Sequence, residues 1–200
     1  RNEAFEALLV TLIQQYKERA DVLLKKDIKK SKLGHWYLSN EITGMSLYVD
    51  RFSENIQGLQ KKLAYFKELG VNFLHLMPIF ESPEGESDGG YAVSDFRKVA
   101  TRFGTLQDLQ NLIADMNTAD MYLMLDIVLN HTSHHHEWAK KAKAGDSYYQ
   151  DFFYFYDNRG IPDQLDQTMP EIFPESSPGS FTYVQELNKW VMTVFHHYQW

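Results

Sequence analysis

Asp126, Asn130 and His131 stand at the end of an otherwise apolar run, Met121 to Val128, in which Asp126 is the only charge. Such a run suits a parallel strand covered on both faces. An acid inside it, with an amide and an imidazole just beyond, sets polar groups at the C-terminal edge of a parallel sheet. That edge is where α/β barrels and open α/β sheets hold their active sites. The imidazole can donate to a substrate hydroxyl, and Asp126 can orient its neighbours by hydrogen bonds. The pair is also consistent with a structural histidine beside a buried acid that accepts backbone N–H bonds.

Upstream, Asp88-Gly89-Gly90-Tyr91 supplies an acid, two permissive residues and a ring. The glycines allow positive φ and close backbone approach. A tyrosine there can stack on the apolar face of a sugar while the acid grips hydroxyls; an ordinary Gly-rich turn explains the same four residues. His134, His135 and His136 invite a metal reading. Adjacent side chains point in different directions, so the expectation is three solvated histidines and no metal. The chain has no HExxH pair, no phosphate-binding glycine loop of either common kind and no Gly-x-Ser-x-Gly elbow.

The elements that must position these residues follow a strand–helix rhythm. Met45 to Asp50, Val71 to Leu76 and Met121 to Val128 read as three strands. Between the first two, Ser53 can cap a helix bearing Ile56, Leu59, Leu63 and Phe66, which Gly70 ends. Between the last two, Thr105 caps a helix bearing Leu106, Leu109, Leu112, Ile113 and Met116, with Asp108 placed to complete a capping box. Successive units of this kind predict a right-handed parallel sheet. The stretch from Pro78 to Gly104 is too long for an ordinary connection and is expected to carry function. Residues 2–30 read as one amphipathic helix, with Phe5, Leu8, Leu9, Leu12, Ile13 and Tyr16 on one stripe. Residues 31–44 read as a linker, and 132–200, with four prolines and many rings, as an inserted, loop-rich subdomain.

Composition narrows the classes. A net charge of −7 argues against nucleic acid or an anionic membrane as partner. Without cysteine there is no disulfide framework and no thiolate metal site, which fits a reducing cytoplasm. No apolar stretch approaches the roughly 20 residues of a membrane span, and no signal peptide is visible. The chain begins at Arg1 rather than Met and ends in aromatic residues, so both ends are expected to be cut.

In order and spacing, Gly90-Tyr91-Ala-Val-Ser-Asp95-Phe96, Phe103-Gly104-Thr105, Asp126-Ile-Val-Leu-Asn130-His131-Thr-Ser and His136-Glu137-Trp138 resemble the α-amylase family of glycoside hydrolases and transglycosidases. The segments Leu74-His75-Leu76-Met77-Pro78, Ser87-Asp88-Gly89-Gly90-Tyr91, Pro162-Asp163-Gln164 and Glu171-Ile172-Phe173-Pro174 look most like its amylosucrase and sucrose hydrolase branch. The likeness is strong from about residue 45 to 200 and weaker before it. One departure is Asp115-Met-Asn-Thr-Ala-Asp120, where the family often has a His and a Gly.

That resemblance implies an α/β fold: the first three strands of a (β/α)₈ barrel, with a subdomain inserted after the third. Residues 1–40 would end an N-terminal helical domain, 41–131 would form the first three barrel units, and 132–200 the insertion leading towards a fourth strand. The family's nucleophilic Asp, acid/base Glu and second sugar-gripping Asp follow later strands, so no residue here takes those roles and the chain alone is expected to be inactive. His131 matches the histidine that hydrogen-bonds glucosyl hydroxyls around the transition state, and Tyr91 the ring under the bound glucose. Asp88 matches the acid that pairs with a distant arginine to close the pocket floor, Asp126 an orienting acid, and Phe195 and Gln199 positions near the pocket wall. Asn130 matches a calcium ligand of many α-amylases, but the sucrose branch generally lacks the ion, so neither metal nor cofactor is expected. The implied activity is retaining α-glucosyl transfer or hydrolysis on sucrose and α-glucans. An α-glucan hydrolase, or an inactive relative serving as an interaction subunit, are the alternatives.

Overall fold

The computed structural model describes residues 2–200. Two compact units divide the chain, Arg1–Thr43 and Gly44–Trp200.

In the first unit, α1 (Asn2–Glu18) and α2 (Asp21–Leu33) are separate helices, not the single helix over 2–30 that the periodicity predicts. Ala20 breaks the run with an extended ψ of 137°. Asp21 then opens α2, where an acid suits the helix N-terminus. Arg19 spans the break and grips both oxygens of Asp27 at 2.5 and 3.2 Å. A 3-10 turn follows at Trp36–Leu38, with the Lys30 ammonium 4.4 Å above the Trp36 ring.

The second unit opens with β1 (Gly44–Leu47), α3 (Val49–Ser53), α4 (Ile56–Lys61), α5 (Leu63–Glu68) and β2 (Phe73–Leu76). The cap of α4 is Asn55, which accepts from the Gly58 N–H, whereas Ser53 closes the short helix before it. After β2 come β3 (Phe80–Glu81), β4 (Asp95–Val99), α6 (Leu106–Thr118) and β5 (Tyr122–Leu125). The predicted capping box of α6 is complete, with Thr105 and Asp108 each accepting from the other's backbone N–H. Asp120 takes a φ of 56° in the glycine-free stretch ahead of β5. Asp is among the few residues that enter this left-handed region readily.

Strands β1, β2 and β5 form a parallel sheet in the order β1-β2-β5. Leu47, Leu74 and Leu76 bury against Ile56, Leu59 and Phe66 of α4 and α5 and Leu109, Leu112 and Met116 of α6. Each such side chain contributes roughly 1.5–3 kcal/mol on burial. Alternation sends Ser46 and His75 to the opposite face, directly paired across β1 and β2. This is the arrangement of structures in which strands line a barrel interior and helices cover the outside.

The third strand is shorter than the apolar run predicts. It ends at Leu125, and Ile127 and Leu129 are exposed, Leu129 at 87%. Among the described residues β5 is an edge strand, paired on one side, and the run past Leu125 is not buried on both faces as expected.

Residues 132–200 hold more regular structure than their composition implies: α7 (Glu137–Lys143), α8 (Ser147–Gln150), β6 (Phe155–Tyr156), α9 (Gly160–Asp166), β7 (Phe181–Val184) and β8 (Lys189–Met192). The last three strands pair antiparallel in the order β6-β8-β7. Ala139, Val184, Val191 and Trp200 make a second small core there.

Candidate active site

Polar groups converge at the C-terminal edge of the parallel sheet. Register places Ser46 opposite His75 and His75 opposite Met124. Asp126, two residues past Met124, therefore continues the same face. The side chains form one line. Ser46 Oγ lies 3.1 Å from His75 Nδ1, and His75 Nε2 lies 3.0 Å from Asp126 Oδ1. The Tyr91 hydroxyl donates to the other oxygen, Asp126 Oδ2, at 3.1 Å. With its proton on Nε2, His75 donates to Asp126 and accepts from Ser46. Burial, together with this hydrogen bond to a carboxylate, pushes the Tyr91 phenol up to about 12.

Ser46 and His75 were not singled out as site residues from the sequence. The available signal was the same as for Asp126: His75 is the one ionisable residue between Val71 and Met77.

Tyr91 is carried by the loop that contains Asp88. Gly89 and Gly90 both have positive φ, 65° and 99°. At Gly90 the need for glycine is steric as well, because a Cβ would meet the Pro78 carbonyl oxygen at 2.9 Å. The turn is therefore pressed against the segment leaving β2, and this fixes where Asp88 and Tyr91 stand.

Gln199 joins Asp88 to His131. Its Nε2 donates to Asp88 Oδ2 at 3.1 Å and lies 3.1 Å from His131 Nε2. Gln199 is fully buried, and its Oε1 has no partner among the described residues. His131 is 7% exposed. Burial holds its imidazole below the ordinary value, against a weaker upward pull from a hydrogen bond to the Tyr91 backbone and from the Asp88 charge. Phe195 presents its edge to the His131 ring, centroids 5.5 Å apart, and adopts a φ of 62° to do so. Asp88 meets His196 at 3.7 Å through its second oxygen. The arginine that the resemblance implies for Asp88 is not among its described partners. Asn130 is exposed, its amide nitrogen 3.3 Å from His131 Nδ1.

Asp88, Tyr91, Asp126, His131, Phe195 and Gln199 thus form one connected constellation. An apolar cleft of about 400 Å³, lined by Phe80, Phe96, Leu129, Trp138 and Trp200, touches His131 from another side. Its walls are mostly rings and aliphatic groups, with Asn130, His131 and Thr132 as its polar members. The groups that can hydrogen-bond a hydroxylated ligand most densely, two carboxylates, a phenol, an imidazole and an amide, lie along the sheet edge.

The three adjacent histidines are not uniformly solvated. His136 is buried and its Nδ1 accepts from the Trp138 N–H at the start of α7. His134 is half-buried and only 2.7 Å from Glu86. Only His135 is exposed.

The α-amylase catalytic-domain model matches residues 30–199. Oligo-1,6-glucosidase of Bacillus cereus is 40% identical over 100 residues, which is 50% of this chain and 18% of that protein. Maltase 1 of Drosophila virilis is 39% identical over 116 residues, 58% of this chain and 18% of its own. Among solved structures, a mutant isomaltulose synthase from Erwinia rhapontici NX5 in complex with its natural substrate sucrose superposes with a TM-score of 0.69. It is 26% identical, covering 80% of this chain and 29% of that one. Trehalose-6-phosphate hydrolase of Bacillus licheniformis gives 0.68 at 25% identity, covering 82% and 30%. The chain spans about a fifth of the length of the curated relatives and under a third of the solved chains. Among the described residues, no helix is long and apolar enough to cross a membrane.

Proposed function

The chain belongs to the α-amylase catalytic-domain family, and from that premise we propose that it supplies the glucosyl-binding side of a retaining α-glucosyl-transferring or hydrolysing site acting on sucrose, as in the amylosucrase branch. The observation that carries this reading is the Gln199 bridge between Asp88 and His131, beside the Tyr91–Asp126 pair. In this reading Tyr91 stacks under the glucose ring and Asp126 with His75 fixes the angle of that ring. His131 hydrogen-bonds the sugar hydroxyls, and the unpartnered Gln199 Oε1 accepts from one of them. Asp88 closes the pocket floor, so a terminal glucosyl enters and a longer glucan does not run through.

The chemistry such a site serves is a double displacement. A carboxylate displaces the leaving sugar to form a glucosyl-enzyme, a carboxylic acid protonates the departing oxygen, and water or a sugar hydroxyl then takes the glucosyl. No residue of these 200 is assigned as nucleophile or proton donor. The chain by itself is therefore proposed to release neither glucose nor fructose from sucrose.

A second reading, an α-glucosidase acting on short α-glucans, draws support from the oligo-1,6-glucosidase and maltase relatives. The two separate when the complete protein carrying this chain is offered sucrose, maltose and an α-1,6-linked glucose disaccharide in parallel. Fructose release from sucrose with retention at the glucosyl carbon is the expected result. Turnover of the glucose disaccharides without turnover of sucrose would favour the second reading, and turnover of none would remove both.

A further inference from the structure

Glu86 stands at the centre of a histidine cluster outside the sugar constellation. His134 Nε2 lies 2.7 Å and His135 Nε2 3.4 Å from the same oxygen, Glu86 Oε2. His197 Nε2 lies 3.6 Å from the other oxygen. The ligand-bearing atoms of Glu86, His134 and His135 all fall within 4.8 Å of one another. We propose that Glu86, His134 and His135 bind a zinc-like divalent cation.

The chemistry of the donor set favours zinc. Imidazole nitrogen and carboxylate oxygen are its ordinary non-sulfur ligands, in a tetrahedral shell at about 2.0–2.2 Å. Two ligand atoms on such a shell stand roughly 3.3 Å apart. The Glu86–His135 separation of 3.4 Å already meets that spacing. The Glu86–His134 contact of 2.7 Å must open by about half an ångström, a side-chain adjustment. Coordination through Nε2 leaves the neutral His134 ring its hydrogen on Nδ1, and protonation of the imidazoles competes with the metal, so binding weakens as pH falls.

Local backbone explains how neighbouring histidines can share one ion. On a regular helix successive side chains diverge. Here His134 and His135 lie in a turn, ahead of α7, and their rings sit edge-to-face with centroids 4.4 Å apart. The turn is held in place from the backbone, the His134 N–H donating to the Tyr198 carbonyl at 2.7 Å and the His135 N–H to Ser133 Oγ at 3.1 Å. His134 also lies edge-on to Trp200, with centroids 6.3 Å apart.

The ligands come from two separate loops, Glu86 between β3 and β4 and His134 and His135 between β5 and α7. A metal here is a clamp rather than a reaction centre. Asp88 is two residues from Glu86, His196 adjoins His197, and the two meet at 3.7 Å. The clamp would hold the Asp88 loop against the turn ahead of α7, whose His134 N–H bonds the Tyr198 carbonyl in the segment that carries Phe195 and Gln199. The proposal does not depend on which sugar the neighbouring site takes.

The test uses tag-free protein stripped of metal with a chelator and titrated calorimetrically with zinc chloride. Cobalt(II) substitution then reads ligand geometry from its visible absorption. One saturable site per chain is expected, with a tetrahedral cobalt spectrum. His134→Gln and Glu86→Gln should each weaken zinc by at least the roughly 10–100-fold that loss of a mere supporting partner costs. The His35→Gln control in the N-terminal unit should change nothing. His135→Gln guards against misfolding, because that side chain is exposed; it should weaken zinc while the metal-free protein melts as wild type. No saturable zinc site in the wild-type protein, or an affinity indifferent to both His134→Gln and Glu86→Gln, would overturn the proposal.

Discussion

Tyr91 donates a hydrogen bond to Asp126 across 3.1 Å, joining the loop between β3 and β4 to the residue just past β5. The two residues are 35 positions apart, and nothing in their local sequence announces the contact. The bond fixes a ring that would otherwise pivot at the tip of a Gly-rich turn, and it occupies the Asp126 oxygen that His75 leaves over.

Tyr91→Phe keeps the ring and removes this bond. A hydrogen bond to a charged group is worth roughly 1.5–3 kcal/mol; partial exposure of Asp126 lowers the expectation to about 1–2 kcal/mol. Urea unfolding of wild type and variant measures it. Equal midpoints would mean that the ring is held by packing alone.

His131→Ala in the complete enzyme should cut kcat by roughly 10–150-fold, since a hydrogen bond to a charged partner is worth about 1.5–3 kcal/mol and each 1.4 kcal/mol is a decade. The effect belongs in kcat because the sugar flattens and gains charge only near the transition state. A raised KM with kcat intact would refute the role.

His131 also predicts a pH dependence of stability. Its folded value lies below the ordinary 6.5 because burial disfavours the cation. As pH falls the unfolded chain therefore takes up this proton first. The His131 contribution is complete above about 6.5 and is lost as pH drops from there through the lower folded value. Against His131→Gln, the wild type should lose relative stability between about pH 7 and pH 5. Denaturant midpoints across that range decide it, and a constant difference would contradict the assignment.

Asp88→Ala tests the pocket floor. Asp88 is part-exposed and meets buried Gln199 and His196, so the stability cost should be about 1–3 kcal/mol, that of orphaning a buried donor, below the figure for a fully buried ion pair. Sucrose turnover in the complete enzyme should fall far more than the melting point. Turnover near the wild-type level would leave Asp88 only as a turn residue.

Much of this arrangement could be read from the chain. The three strands and the Thr105–Asp108 capping box follow from apolar runs and one reciprocal pair of side chains, signals that lie within a dozen residues. The breaks at Ala20 and near Lys62 were not legible, because no glycine or proline marks either. Asp126 stood out as a charge in an apolar run, but Ser46 and His75 became visible only through β1–β2 register. The β6-β8-β7 sheet was obscured by short strands set far apart in sequence. Divergence of three successive histidines was expected from regular backbone, and the turn at His134 and His135 does not supply one.

The sheet order β1-β2-β5 has a practical consequence. Only the middle strand is hydrogen-bonded on both sides; β1 and β5 each turn a row of backbone N–H and C=O groups outward with no strand beyond them among the described residues. Met124, Ile127 and Leu129 lie exposed along or just past β5. An open rim of this kind is a template for any other extended chain, a second molecule included. Behaviour of the 200-residue chain in solution should accordingly depend on how much of it is present, with light scattering rising and reversibility of melting falling as concentration increases.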